Sequence, residues 1–220
     1  MTRTQRAGVL FDVDGTLMDT NYLHTLAWSR ALEDAGEWAP MHAIHRLVGM
    51  GGDQLVGELL GHENAVVTEA RVRRYRQVIG LARPFPGAVG LVTEVHDRGL
   101  AAVLATSSPE DELAVLLQRL DIEASLDGKI TADDVQQSKP SPEVFTTAME
   151  ETGLDPARTV AVGDSVWDVQ AARSAGIACI AVESGGFSRH ELSEAGALQV
   201  YRDVEELHGQ FGTSPLALLV

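Results

Sequence analysis

Short apolar runs alternate with longer helical patterns along most of this chain, and that rhythm leaves few folds open. Candidate strands at 9–12, 101–106, 159–163, 177–182 and 198–201 alternate with candidate helices at 88–98, 110–120, 142–153, 166–175 and 189–195. Strands that read as continuous apolar runs are buried on both faces, and helices between them act as crossovers joining parallel neighbours. The expectation is an α/β fold built on a parallel sheet. One stretch breaks the rhythm. From about Leu17 to Arg83 the periodicity is helical and no good strand is found, with helices expected at 22–35, 53–60 and 68–81. Pro84-Phe85-Pro86-Gly87 then reads as a hinge returning the chain to the sheet. The division expected is a core of residues 1–16 and 84–220 and a helical insertion of residues 17–83, placed like a lid.

Ligands in open α/β sheets bind beyond the carboxyl ends of the strands, and those ends are polar here. The sequence Leu10-Phe11-Asp12-Val13-Asp14-Gly15-Thr16-Leu17 delivers two carboxylates to one place. Residues i and i+2 of an extended segment face the same side. Gly15 then lets the backbone turn away closely. Two like charges held together are costly unless a cation sits between them or one takes up a proton. Folding alone has no need of this. Other strand ends carry Thr106-Ser107-Ser108 and Gly163-Asp164-Ser165-Val166-Trp167-Asp168, and Lys139 lies in Ser138-Lys139-Pro140-Ser141-Pro142. Asp-x-Asp-Gly by itself also fits a solvated turn. A calcium loop fails, because its sixth position is Leu17 instead of Gly and its twelfth is Leu23 instead of Glu.

Charge narrows the partners. With 32 acidic against 17 basic residues the net charge is −15, which excludes nucleic acid and anionic membrane surfaces as expected partners. An anionic substrate would then need a local cation, and the only lysines are Lys129 and Lys139. The single cysteine, Cys179, sits in an apolar run and reads as a buried structural thiol. Met1-Thr2-Arg3-Thr4-Gln5-Arg6 has no apolar signal region, and no apolar run is long enough to span a membrane. A soluble cytoplasmic protein, monomer or homodimer, is the expectation.

Taken in order, Asp12 with Asp14, then Thr106, Lys139, and Gly163-Asp164 with Asp168 resemble the four motifs of the haloacid-dehalogenase-like (HAD) hydrolase superfamily. The insertion resembles that family's helical cap of the first type. The resemblance implies a Rossmann-like parallel sheet core with an inserted α-helical cap domain. It makes Asp12 a nucleophile toward phosphorus, as in aspartyl-phosphate enzymes, and Asp14 the group that protonates the leaving alkoxide and later takes a proton from water. It implies Mg²⁺ held by the Asp12 and Asp164 carboxylates and the Asp14 backbone carbonyl, a hard-oxygen site of the kind that ion prefers. Thr106, Ser107, Gly15 and Lys139 would hold the phosphoryl group, and Asp168 would orient Lys139 or a metal-bound water. On the insertion, Arg46, His24 and the loop Val48-Gly49-Met50-Gly51-Gly52 lie where related caps reach toward substrate. A surface arginine, a glycine turn and ordinary helix packing of His24 with Trp28 are the competing readings. The run Arg71, Arg73, Arg74, Arg76 reads as a solvated face.

Departures within the family set the expected sub-class. Dehalogenases lack the second aspartate, whereas Asp14 is present. β-Phosphoglucomutases typically carry Glu-Asp in the fourth motif and no second downstream aspartate, but this chain has Gly163-Asp164 and Asp168. Thr16 after Gly15 also follows the phosphatases. The closest label is the phosphoglycolate phosphatase and β-phosphoglucomutase-like subgroup. The expectation is a Mg²⁺-dependent phosphatase that hydrolyses a small phosphorylated metabolite, such as phosphoglycolate or a sugar phosphate, through an aspartyl-phosphate. The alternatives are a phosphosugar mutase and a non-enzymatic phospho-accepting module of receiver type.

Overall fold

The run Ala7 to Phe11 is apolar at every position but Gly8, so its strand can sit only in the middle of a sheet. The computed structural model describes residues 6–220, the side chain of Asp53 excepted, and places that strand there. Residues 1–5, on which the reading of no secretory signal rests, lie outside the described part. The strands are β1 (Arg6–Phe11), β2 (Met18–Asp19), β3 (Arg83–Pro84), β4 (Ala101–Ala105), β5 (Gly128–Ile130), β6 (Leu154–Gly163), β7 (Ala178–Val182) and β8 (Gln199–Tyr201). Six of them form a parallel sheet of order β5-β4-β1-β6-β7-β8. The chain runs outward from β1 to β4 and β5 on one side and then crosses back to β6 on the other, which makes the carboxyl end of β1 the switch point where such sheets bind ligands. Phe11 pairs with Leu104 on one side and Val162 on the other, so the residues after all three strands emerge at one level.

Side chains alternate across β1. Val9 and Phe11 join a core with Leu91, Val92, Leu104 and Leu113, while Leu10 joins Val103, Phe145 and Ala161 on the opposite face. Each fully buried side chain of this size contributes about 1.5–3 kcal/mol. The helices covering the faces are α5 (Ala88–Asp97), α6 (Glu110–Leu120), α7 (Glu143–Thr152), α8 (Val166–Ser174), α9 (Arg189–Ala195) and α10 (Val204–Gly209). The C-terminal segment contributes Phe211 and Leu216 to this core, while Leu218 and Val220 stay exposed.

The insertion holds α1 (Asn21–Asp34), α2 (Met41–Leu47), α3 (Gly52–Leu60) and α4 (Ala65–Val78). These helices bury a small cluster of their own, with Trp28, Leu32, Ile44, Leu55 and Val67 at its centre. Ala27 and Tyr75 instead join the main core and seal the insertion to it. The reading that no strand lies between Leu17 and Arg83 is corrected. Met18–Asp19 and Arg83–Pro84 pair antiparallel where the insertion leaves and rejoins the sheet. A two-residue strand is too short to carry a period, so the sequence hides it. No helix among the described residues is long and apolar enough to cross a membrane.

Candidate active site

Asp12 continues β1 by one residue, its backbone N–H donating to Val162 O at 2.9 Å. Gly15 follows with φ +82, and a Cβ there would meet the Asn21 amide and the Asp164 carboxylate. Only glycine fits this turn without strain. Its N–H is engaged by Met18 O at 2.8 Å, so Gly15 shapes the turn and does not present that donor to a ligand. Asp12 and Asp14 leave the turn in different company.

Behind Asp12 lies Lys139, with no exposed side-chain surface. Its Nζ donates to Asp12 Oδ1 at 2.6 Å and Ala105 O at 2.8 Å, and forms an ion pair with Asp168 Oδ1 at 2.8 Å. Burial alone would lower this lysine's pKa, but Asp12 and Asp168 outweigh it and hold the ammonium above the usual lysine range. Asp168 is fixed in turn by the first turn of α8. There Ser165 caps the helix and donates from both N–H and hydroxyl to Asp168 Oδ2. Asp164 accepts from Asn21 Nδ2 at 2.9 Å, and the Thr16 hydroxyl lies between Asp164 Oδ1 at 3.0 Å and Asp12 Oδ2 at 3.1 Å.

Three buried carboxylates therefore cluster together, two of them paired with one ammonium. Asp12, Asp164 and Asp168 each offer an oxygen within 4.8 Å of the others. Burial, reinforced by the charges of Asp168 and Asp14 against the pull of Lys139, pushes Asp12 up to about 7. Burial and the charges of Asp168 and Asp12 raise Asp164 well above the carboxylate range. The cluster is short of positive charge, and its donors are hard oxygens. A divalent cation of the Mg²⁺ or Ca²⁺ kind fits both features. The Asp14 carboxylate stands outside this group.

Asp14 faces the cavity with a different set of partners. It accepts from Thr20 Oγ1 at 2.6 Å and Ser108 Oγ at 2.6 Å, and pairs with His24 Nε2 at 2.9 Å. Burial opposes its charge, but the His24 imidazole and the three hydrogen bonds win and hold Asp14 well below the usual carboxylate range. A cavity of about 270 Å³ opens between the strand ends and the insertion. Asp12, Asp14, Thr106, Ser107 and Ser108 line its floor, and His24, Trp28, Met50, Thr68, Arg71 and Val72 line the side formed by the insertion. Thr106 Oγ1 accepts from Ser108 N–H at 3.1 Å, while the buried Ser107 hydroxyl has no partner and is ready to donate to an oxygen entering the cavity.

The structure thus brings Asp12, Asp14, Thr106, Ser107 and His24 to one cavity, with Lys139, Asp164 and Asp168 directly behind. It does not bring Arg46 there. Arg46 pairs with Glu191 of α9 and lies over the Phe187 ring, tying the insertion to the core elsewhere. Arg71 is a correction. Its side chain is 11% exposed, not solvated, and it lines the cavity while pairing with Glu112. Thr20, Asn21 and Glu112 were missed as well; each is a common polar residue at or near a helix start, where capping or solvation explains it equally well.

The chain matches the pattern of haloacid dehalogenase-like hydrolases over residues 7–176. It is 30% identical over 219 residues to a phosphoglycolate phosphatase of Rhodospirillum rubrum, covering 93% of this chain and 90% of that one. It is equally 30% identical to a phosphorylated carbohydrates phosphatase of Thermotoga maritima, over 91% of this chain and 96% of the relative. A solved hydrolase from Pseudomonas syringae superposes with a TM-score of 0.89 at 30% identity, covering 94% of this chain and 99% of the other. Motif order, sheet topology and the inserted helices agree with these matches, and the chain belongs to the haloacid dehalogenase-like hydrolase family, in its phosphoglycolate phosphatase and β-phosphoglucomutase-like subgroup.

Proposed function

We propose that this phosphoric monoester hydrolase is a Mg²⁺-dependent phosphatase of a small phosphorylated metabolite, working through an aspartyl-phosphate on Asp12. The observation that carries the reading is the placement of Asp12. It stands at the cavity floor, clamped from behind by a buried lysine, with Asp14 two residues on and the unpartnered Ser107 hydroxyl beside it. Residues 17–83 act in this reading as a cap over a core of 1–16 and 84–220, with the β2–β3 pair at the junction supporting that division.

The chemistry follows from what each group can do. The Lys139 ammonium holds the Asp12 carboxylate in place and offsets part of the charge of the arriving phosphate. Thr106 and Ser107 donate to phosphoryl oxygens. One Asp12 oxygen attacks phosphorus, and the bond to the leaving alkoxide breaks. Asp14, turned into the cavity by Thr20, Ser108 and His24, is placed to give the alkoxide its proton. It is held as the carboxylate here, so it takes that proton from a monoanionic ester or from water first. Water then attacks the acyl phosphate, Asp14 accepts its proton, and inorganic phosphate leaves with Asp12 restored. Mg²⁺ bound by Asp12, Asp164 and the Asp14 carbonyl would supply charge neutralisation between the nucleophile and an anionic phosphate.

Borohydride trapping during turnover tests the intermediate. Reduction of an acyl phosphate at Asp12 converts that residue to homoserine, which peptide mass spectrometry locates. The modification is expected at Asp12 only, with substrate and Mg²⁺ present. Steady phosphate release without it, or isomer interconversion with no phosphate released, counts against the reading.

A further inference from the structure

One side chain decides what charge the cavity can accept beyond the phosphate. Among the described residues lining it, Arg71 is the only arginine or lysine, and the protein itself already engages that charge. Arg71 pairs with the Glu112 carboxylate of α6, whose side chain is 2% exposed. Its other amino group lies 2.7 Å from His24 Nδ1. A guanidinium only donates, so Nδ1 accepts, and the His24 proton sits on Nε2, where it is given to Asp14. Both ring nitrogens of His24 are thereby engaged within the protein, one by Asp14 and one by Arg71. The rest of the wall includes Trp28, Val48, Met50 and Val72, with Thr68, Gln136 and Ser138 as uncharged polar groups.

We infer that the leaving group of the natural substrate is an uncharged alcohol, and that Glu112 sets this preference by neutralising Arg71. This rests on the phosphatase reading above. A second carboxylate or phosphate entering the cavity would be stripped of water without a free cation to receive it, and would face the Glu112 charge across the arginine. A hydroxylated carbon skeleton loses far less hydration. Thr68 and Gln136 offer it hydrogen bonds, and the flat Trp28 ring offers an apolar surface. The inference departs from phosphoglycolate, the substrate in the name of the Rhodospirillum rubrum relative.

Matched substrate pairs test it, with kcat/KM measured at fixed ionic strength. Hydroxyethyl phosphate and phosphoglycolate differ only by a hydroxymethyl group in place of a carboxylate, and a hexose monophosphate is paired with its bisphosphate. The neutral member is expected to be favoured by about tenfold or more, the scale on which an unpaired polar contact discriminates. Glu112→Gln keeps the side chain's shape and removes its charge. It is expected to move the hydroxyethyl phosphate to phosphoglycolate ratio about tenfold toward phosphoglycolate, mainly through KM, with Glu112→Asp restoring the original order. A wild-type preference for the anionic member overturns the inference and leaves the phosphatase standing. A folded Glu112→Gln enzyme with an unmoved ratio overturns the role of Glu112. No phosphate release from any member, dependent on Asp12, means that the phosphatase reading fails and takes this inference with it.

Discussion

Asp12 and Asp14 are two residues apart and do different work because their neighbours differ. Asp12 is tied to Lys139 and crowded by Asp164 and Asp168, whereas Asp14 is held as an anion by His24, Thr20 and Ser108. Lys139 is the member on which the cluster depends most. Lys139→Met removes the ammonium paired with the buried Asp12 and Asp168 carboxylates, and breaking a buried ion pair in this way costs about 3–5 kcal/mol. The same change is expected to lower kcat/KM by about 10²–10³-fold, the effect of losing one preorganised charge from an active site. Thermal unfolding and phosphate-release kinetics check the two figures separately. A variant with wild-type stability and rate would show that Lys139 is a bystander. Most of this constellation was legible in the sequence. Asp12, Thr106 and Asp164 end strands of one parallel sheet, and strand ends of a parallel sheet converge whatever the loops do. Arg71 and Glu112 were not legible. Whether Arg71, Arg73, Arg74 or Arg76 faces inward depends on how α4 is rolled against α1 and α6, and no local pattern in the sequence encodes that roll.

At the level of elements, the agreement is best where periodicity is long. The helices expected at 110–120 and 189–195 coincide with α6 and α9, α5 and α8 end one residue before their expected bounds, α7 is one residue shorter at each end, and α10 has no counterpart among the expected helices. Misses fall on short pieces. β5 spans three residues at the sheet edge, where Gly128-Lys129-Ile130 has too few apolar positions to signal a strand. β6 begins at Leu154, five residues before the expected start, because Leu154 pairs with Arg6 across a register shift around Pro156. Within the insertion, α2 was not foreseen; seven residues containing two histidines carry little helical signal. The loop from Val48 to Gly52 connects the insertion to the cavity. The sequence placed it near the substrate, and it does line the cavity, while Gly51 N–H donates to Lys139 O at 3.2 Å and Gln54 Nε2 to Ser138 O at 3.0 Å. These bonds join the insertion to the segment that carries the buried lysine, so a shift of one is felt by the other.

Across the whole molecule, the acidic surface and the acidic cluster make opposite demands. A net charge of −15 repels an anionic substrate at range, and the site compensates only locally, with Lys139 and, in the proposed reading, a divalent cation. The metal-free protein should show the strain of that cluster in its stability. Asp12 has a folded pKa raised to about 7, against about 3.9 in an unfolded chain, so its favourable contribution is complete below the lower value and lost as pH rises through the upper one. Asp14 is shifted the other way, and its contribution is lost only as pH falls below the ordinary carboxylate range, outside this window. In chelator, Tm is therefore expected to fall between about pH 4 and pH 7, while saturating Mg²⁺ flattens that fall by neutralising the same carboxylates. Differential scanning calorimetry across that range reads both curves. A Mg²⁺ effect that is equal at both ends of the range contradicts the proposed ligand set. The whole proposed reaction depends on an Asp12 oxygen attacking phosphorus. Its most direct test is the phosphate-release rate of Asp12→Asn with Mg²⁺, beside a circular dichroism check of the fold. The rate is expected to drop by about 10⁴-fold or more, as when a covalent nucleophile is removed; a folded variant that keeps the wild-type rate contradicts the account.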